Sequence, residues 1–280
     1  MKKQGWGILA ALLALSLAGC STGETQEPVS TAETETTAAE VQESEAMPET
    51  AEQDGGNSDS MSWEMAEEIL THISDPQFPD YTVNVVDDYG AVPNDGKLDT
   101  KAIQQAIDET SEKGGGTVIV PRGDFDTGAI TLKDNVNLCL EDKETRLLFT
   151  QEINHENYPL VYAHWEGQPL YNYSSFIYAK DAKNIALTGQ GTMDGQAGDG
   201  TPWCWMSRDY MTDYQDDDRN ALMDMNTNRV PVEERIFGEG HYLRPNFIQL
   251  IGCENVLVEG ITLLRSPMWE VNPVLCTNVT

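Results

Sequence analysis

Residues 253–279 read CENVLVEGITLLRSPMWEVNPVLCTNV, a stretch that opens and closes on one phrase. Cys253-Glu254-Asn255-Val256 returns 23 residues later as Cys276-Thr277-Asn278-Val279. A fainter copy, Ala182-Lys183-Asn184-Ile185, stands further upstream. Around these echoes lie short alternating apolar runs broken by Gly, Asn and Asp, such as FIQLIG (247–252) and ITLLRS (261–266). A period in the twenties carried by short strands is the signature of a β-solenoid, in which each coil stacks on the one before. A β-sandwich also places short strands between turn residues, but the local echoes favour the solenoid.

In a solenoid, residues one coil apart are neighbours, so a repeated Asn can hydrogen-bond its counterpart in a ladder. Cys253 and Cys276 would then lie about 4.8 Å apart, the strand spacing. That exceeds the usual disulfide Cβ separation of about 3.5–4.5 Å, so stacked buried thiols are expected. After Cys20 the cysteines are Cys139, Cys204, Cys253 and Cys276, an even number that permits disulfides in an exported chain without requiring them.

Working outward, GGGTVIVPRG (114–123) has the glycines of a phosphate-cradling loop. Such a loop follows a strand and opens a helix, so that the helix N-terminus faces the anion. Here the order is reversed. Asp99 or Thr100 can cap a helix with apolar positions Ala102, Ile103, Ala106 and Ile107, which ends at Lys113-Gly114. The strand Thr117–Val120 comes afterwards and Pro121 closes it. The glycines therefore form a C-cap and a tight turn, and nucleotide binding is excluded. A second helical spacing runs from Trp63 to Ile73. Asp95-Gly96 is a turn, because Ala91 stands where a calcium loop needs Asp.

The first twenty residues carry Lys2 and Lys3 before a twelve-residue apolar stretch, Trp6 to Leu17, too short to span a bilayer. They end in Leu17-Ala18-Gly19-Cys20, which resembles the lipobox of bacterial lipoproteins and implies lipidation of Cys20. Residues 21–62 hold eleven Asp or Glu, no Lys or Arg and no apolar period, and are expected to form a disordered acidic tether. Residues 63–280 are long enough for one sizeable domain. With 15 Lys or Arg and 36 Asp or Glu they carry a net charge of −21, which excludes nucleic acid and anionic membrane surfaces as electrostatic partners. The four histidines show no zinc spacing, and no metal or cofactor is expected.

DDYGAVPNDGKLDTKAIQQAI (87–107) and GGGTVIVPRGDFDTGAITLKDNVNLCLE (114–141) resemble the opening of the pectin-lyase-like right-handed parallel β-helices. YPLVYAHWEGQPLYNYSSFIYAKDAKNIALTGQGTMDGQ (158–196) and RPNFIQLIGCENVLVEGITLLRSPMWEVNP (244–273) resemble glycoside hydrolase family 28, the polygalacturonases and their relatives. The resemblance implies an all-β solenoid with a capping helix over residues 99–113 and a long insertion at about 199–240. It also implies inverting hydrolysis of pectin-type polysaccharide; a monomer is expected, and the lipobox implies export and a lipid anchor at the cell surface.

The family's catalytic residues lie in N-T-D, D-D, G-H-G and R-I-K segments after the SPMW segment, and none of these is present. Asn226-Thr227 is followed by Asn228, Asp216-Asp217-Asp218 reads as a solvated loop, and Gly238-Glu239-Gly240-His241 is not G-H-G. The chain is therefore expected to be an N-terminal portion, truncated in mid-stack and inactive alone, with its catalytic residues beyond Thr280. Trp203, Trp205 and Trp269 are candidates for stacking on sugar rings, Trp269 by its match to the family's SP-x-W. Arg244, of the matching Arg244-Pro245, is a candidate for substrate contact or a structural salt bridge. Where the family often has His after that Trp, Asn272 stands here. A non-catalytic β-helical adhesin is the competing function, and a calcium-dependent lyase on the same fold a third.

Overall fold

The computed structural model describes residues 63–206, 209 and 212–280, so the expected signal peptide with Cys20 and the tether of residues 21–62 lie outside the described residues. From Thr82 onward the chain winds through three parallel sheets in turn. Sheet 1 stacks Thr82–Asn84, Gly116–Val120, Val136–Leu140, Lys183–Gly189, Glu254–Val258 and Thr277–Val279. Sheet 2 stacks Gly123–Thr127, Thr145–Phe149, Thr192–Asp194 and Thr262–Leu264, and sheet 3 stacks Ile130–Thr131, Ile177–Lys180, Ile248–Ile251 and Val271–Val274. Each coil visits the sheets in this order, which makes a right-handed parallel β-helix of the expected fold class.

Alternation within each strand sends one set of side chains inward. Val118, Leu138 and Leu187 stand in register on successive coils, as do Val136, Ile185 and Val256, and all are buried. A fully buried Leu of this kind contributes roughly 2–3 kcal/mol of transfer free energy. The register also explains why the period was partly hidden. Partners are 20 residues apart at Thr117 and Asn137 and 23 apart at Glu254 and Thr277. Between Leu138 and Leu187, and between Ile185 and Val256, insertions widen the gap to 49 and 71.

At the start of the sheet 1 strands the Asn ladder is present. Asn184 Nδ2 donates to Asn135 Oδ1 at 2.9 Å, Asn255 to Asn184 at 3.0 Å and Asn278 to Asn255 at 2.9 Å. All four residues have φ between 52° and 60°, the left-handed region that Asn tolerates better than most residues. Cys253 and Cys276 are free thiols, with Cys253 buried and Cys276 partly exposed. Burial is the main influence that pushes the Cys253 thiol up to about 11.

The open end of the stack is covered by a helix at Thr100–Glu112, which buries Ile103, Ala106, Ile107 and Thr110. Neither candidate cap acts as expected. Asp99 occupies the cap position without a side-chain bond to the helix; its Oδ1 accepts from Val92 N at 2.9 Å, and Thr100 Oγ1 accepts from Gly128 N at 2.7 Å. Both side chains instead fasten the helix to neighbouring loops. Beyond the helix, a Cβ on Gly115 would lie 2.4 Å from Asn135 O and one on Gly116 2.3 Å from Tyr81 O. Gly115 and Gly116 are thus required by close backbone approach.

Two insertions depart from the β-helix, both between a sheet 2 strand and a sheet 3 strand. The first, between Phe149 and Ile177, was not expected. It is an antiparallel hairpin of Leu160–Trp165 and Gln168–Tyr173. The second, between Asp194 and Ile248, contains a helix at Asp216–Thr227, so the acidic run Asp216–Asp218 is not a loop but the first turn of that helix. Carboxylates are favoured there by the partial positive charge of the helix N-terminus. The insertions join: Ile236–Phe237 extends the hairpin as a third, parallel strand, and Arg219 Nε pairs with Glu166 at 3.1 Å. Their shared small core is Ala163, Trp165, Leu170, Leu222, Phe237 and Leu243.

Candidate functional site

Where the insertions leave, the wall of the β-helix is plugged by aromatic rings. Phe149 and Phe176 stack with centroids 4.9 Å apart, and Phe247 meets both at 5.3 and 5.2 Å. Trp203 packs on Tyr158 at 5.0 Å and on Phe176 at 5.4 Å. Trp203 and Trp205 are 1% and 5% exposed, so neither offers a face for a sugar ring, contrary to the sequence reading. Trp203 does line a pocket, but its ring is core.

Trp269 differs, with 46% of its surface exposed. Its neighbour Met268 packs against the small core of the lobe, and the Trp269 carbonyl accepts from Phe247 N at 2.8 Å. The backbone is thereby pinned on both sides while the indole stays open to solvent. Of the three candidate tryptophans it is the one whose side chain is open to solvent.

Arg244 lies in the strap that returns from the lobe to sheet 3. Its Nε donates to Gln215 Oε1 at 2.8 Å, its Nη1 to Pro267 O, and its Nη2 to Met206 Sδ at 3.1 Å. The Arg244 carbonyl accepts from Trp165 Nε1 at 3.1 Å. Among the described residues no carboxylate forms an ion pair with it. Burial draws its guanidinium below the usual arginine range, against the opposing influence of Cys204, Glu166 and Tyr214. Arg244, Trp203, Cys204, Met206, Asp199 and Pro267 line a pocket of about 400 Å³ between the second insertion and the Ser266-Pro267 corner.

Asn272 is engaged within the protein. Its Oδ1 accepts from Gln249 Nε2 at 2.7 Å and from Asn246 Nδ2 at 3.1 Å. Gln249, fully buried, also donates to His164 O at 2.8 Å and accepts from His164 N at 3.1 Å. This amide chain ties sheet 3 to the hairpin, so Asn272 acts as a strut. Nearby, Asp194 accepts from Arg265 and from Gln196 N at 3.0 Å. Burial alone would raise the Asp194 carboxyl, but these bonds and the charges of Arg265 and Arg146 hold it below its ordinary value.

The remaining acidic candidates are separated from this pocket's lining. Asp218 Oδ1 meets His241 Nδ1 at 2.7 Å and its Oδ2 accepts from Tyr242 N at 2.5 Å, while Asn226 Oδ1 accepts from Arg235 at 3.1 Å. Sequence reasoning singled out Arg244 but not its supports Gln215 and Met206. These come from an insertion with no repeat to read.

Residues 82–215 match the family described as rhamnogalacturonase A/epimerase, pectate lyase-like. Over 201 residues the chain is 28% identical to a probable polygalacturonase of Vitis vinifera, covering 69% of this chain and 34% of that protein. A hyperthermoactive exopolygalacturonase from Thermotoga maritima superposes with a TM-score of 0.73 at 42% identity, across 79% of this chain and 50% of that one. The family 28 exopolygalacturonase of Yersinia enterocolitica gives 0.51 at 25% identity, across 72% and 38%. The chain thus spans between about a third and a half of these relatives. By its stacked coils the domain is a pectin-lyase-like right-handed parallel β-helix. Within that class the chain is similar to the polygalacturonases just named.

Proposed function

We propose that the chain is the N-terminal part of a cell-surface glycoside hydrolase that cleaves pectin-type polysaccharide by inverting hydrolysis. The observation that carries this reading is the likeness to the Thermotoga exopolygalacturonase, 42% identical over 79% of the chain on a superposable fold. In this reading Trp269 stacks on a sugar ring and Arg244 contacts the substrate. A carboxylic acid protonates the leaving oxygen while other carboxylates activate a water on the opposite face, across a gap of about 6.5–9.5 Å. In this reading those carboxylates are assigned to no residue of this chain, which spans about half the length of the Thermotoga exopolygalacturonase. Lipidation of Cys20 holds the enzyme, a monomer, at the cell surface with the acidic segment as spacer; a Cys20→Ala variant that stays in the membrane fraction would refute the anchor.

The deciding experiment is to read the gene past codon 280 and to assay the whole protein for reducing ends released from polygalacturonate. N-T-D, D-D and G-H-G segments at about one-coil intervals, with the inverted anomer formed first by NMR, are expected. A stop at codon 281, or further coils without these carboxylates, would overturn the hydrolase and leave a tethered carbohydrate-binding protein.

A further inference from the structure

We propose that Cys253 and Cys276 are a modification site: a small disulfide oxidant such as oxidised glutathione closes them to a disulfide that clips one coil of the β-helix to the next. The inference does not depend on the hydrolase reading. The two residues occupy the same place in successive coils, directly after the corner that leads from sheet 3 into sheet 1. Glu254 and Thr277, which follow them, are register partners, and Thr277 N donates to Cys253 O at 2.9 Å. The corner residues before them, Gly252 and Leu275, both take the left-handed conformation, at φ 63° and 55°. Matching backbone paths on stacked strands send the two side chains off in parallel, so the thiols stack.

The contacts of the thiols bring them together. Cys253 Sγ donates to Ile251 O at 3.6 Å, and Cys276 Sγ to Val274 O, the register partner's carbonyl, at 3.5 Å. Cys276 Sγ also lies 3.3 Å from Leu250 O, a carbonyl of the coil that carries Cys253. Burial raises the Cys253 thiol most, and Cys276 adds to the rise by its charge and by hydrogen bonding, as a close neighbour does. Among the described cysteines neither of the others stands at this corner. One coil earlier the place is held by Ala182, whose carbonyl accepts from Glu254 N at 3.0 Å. Cys139 lies within the strand Val136–Leu140 and Cys204 within the second insertion. The spacing permits closure. Adjacent strands set Cα atoms about 4.8 Å apart, inside the range of about 4.4–6.8 Å found in disulfides. Parallel Cβ atoms start at that spacing and must approach by about 0.3–1.3 Å to reach the usual separation. Leu275 is 84% exposed, so its corner can make that shift without disturbing the core.

Exposure sets the order of events, since Cys276 is partly exposed and Cys253 is 1% exposed. The Cys276 thiolate attacks one sulfur of the oxidant, whose S–S bond breaks and releases the first thiol. Cys253 then loses its proton, its thiolate attacks Cys276 Sγ of the mixed disulfide, and the second oxidant thiol leaves. Two protein S–H bonds and one oxidant S–S bond are consumed; one protein S–S bond and two oxidant S–H bonds are formed. The protein gives up two electrons and the oxidant takes them. With the Cys253 thiol pushed up to about 11, its thiolate is scarce at pH 7 and gains about tenfold per pH unit below that value.

The test incubates the reduced full chain with oxidised glutathione at pH 7 and pH 9, quenches it with acid, alkylates it in urea and maps unreduced peptides by mass spectrometry. A peptide pair joined through Cys253 and Cys276, formed at least about tenfold faster at pH 9 and released by dithiothreitol, is expected. Closure should also raise the urea midpoint, because the cross-link closes a 23-residue loop in the unfolded chain. Cys253→Ala, which places in this coil the residue that Ala182 supplies one coil earlier, should trap a single glutathione on Cys276. Cys276→Ala should leave Cys253 unmodified. The proposal is overturned if both cysteines of the wild-type chain remain open to alkylation after the oxidant. A link from either one to another cysteine also overturns it, as does a cross-link that leaves the urea midpoint unchanged. Should either variant fail to fold, the wild-type peptide map decides by itself.

Discussion

Replacing Asn184 with Ala removes the second rung of the Asn ladder, where the side chain both donates to Asn135 and accepts from Asn255. Each bond contributes about 0.5–1.5 kcal/mol net. Ala must also adopt φ near 52°, for which the strain is roughly 1–2 kcal/mol. The sum is a loss of about 2–5 kcal/mol. Asn184→Gly breaks the same bonds without the φ strain and is expected to lose less, about 1–3 kcal/mol. Asn278→Ala breaks one exposed bond and should lose less than Asn184→Ala. Urea unfolding followed by far-UV circular dichroism, at unchanged slope, gives all three values. An Asn184→Gly variant as stable as the wild type would refute the ladder's contribution, and equal losses for Ala and Gly would refute the φ argument.

Three further outcomes are expected. Gly189→Ala would place a Cβ 1.9 Å from Leu140 O at a φ of 110°, so a melting curve should show a loss of at least about 3 kcal/mol or failure to fold. Burial, then the charges of Asp95 and Asp126, raise the Asp99 carboxyl despite its bond from Val92 N. The ionised form is thus disfavoured in the fold, and its cost is present at pH 7 and relieved as the pH falls through the raised value toward the ordinary 3.8. Asp99→Asn should be the more stable protein at pH 7, with the gap closing by about pH 4; a gap that widens on acidification would reverse the assignment. Iodoacetamide at pH 8 should label Cys253, with its thiol near 11, more slowly than Cys139 in a mass-spectrometric time course, and equal rates would contradict its burial.

The β-helix was legible wherever one coil follows another without interruption. The 23-residue step from Cys253 to Cys276 is a bare coil, and Asn at its bend advertises both the left-handed backbone and the side-chain ladder. The glycines at 114–116 were equally readable, because their position after a helix settles their use. The hairpin at 160–173 was missed although its turn carries a signal. Glu166 and Gly167, at φ 46° and 80°, form a two-residue turn between aromatic-rich strands. The repeat drew attention toward parallel pairing and away from this antiparallel element. The helix at Asp216–Thr227 was missed because its one fully buried apolar residue is Leu222, which leaves little apolar stripe to detect. At the candidate site, the SPMW and Arg-Pro phrases located Trp269 and Arg244. The fate of Trp203 depended on Tyr158 and Phe176, brought to it by a corner that no spacing encodes.

Both insertions leave and rejoin the stack at one seam, between sheets 2 and 3, where the bare coil steps directly from Thr127 to Ile130. A segment that departs and returns at nearly the same point leaves the register above and below it untouched. Doubling its length adds only about 0.6 kcal/mol of closure entropy. Such a seam lets the wall beside Trp269 be exchanged as a cassette without redesign of the coils. Loops of different shape can therefore replace one another along this one line while the spool beneath it stays the same.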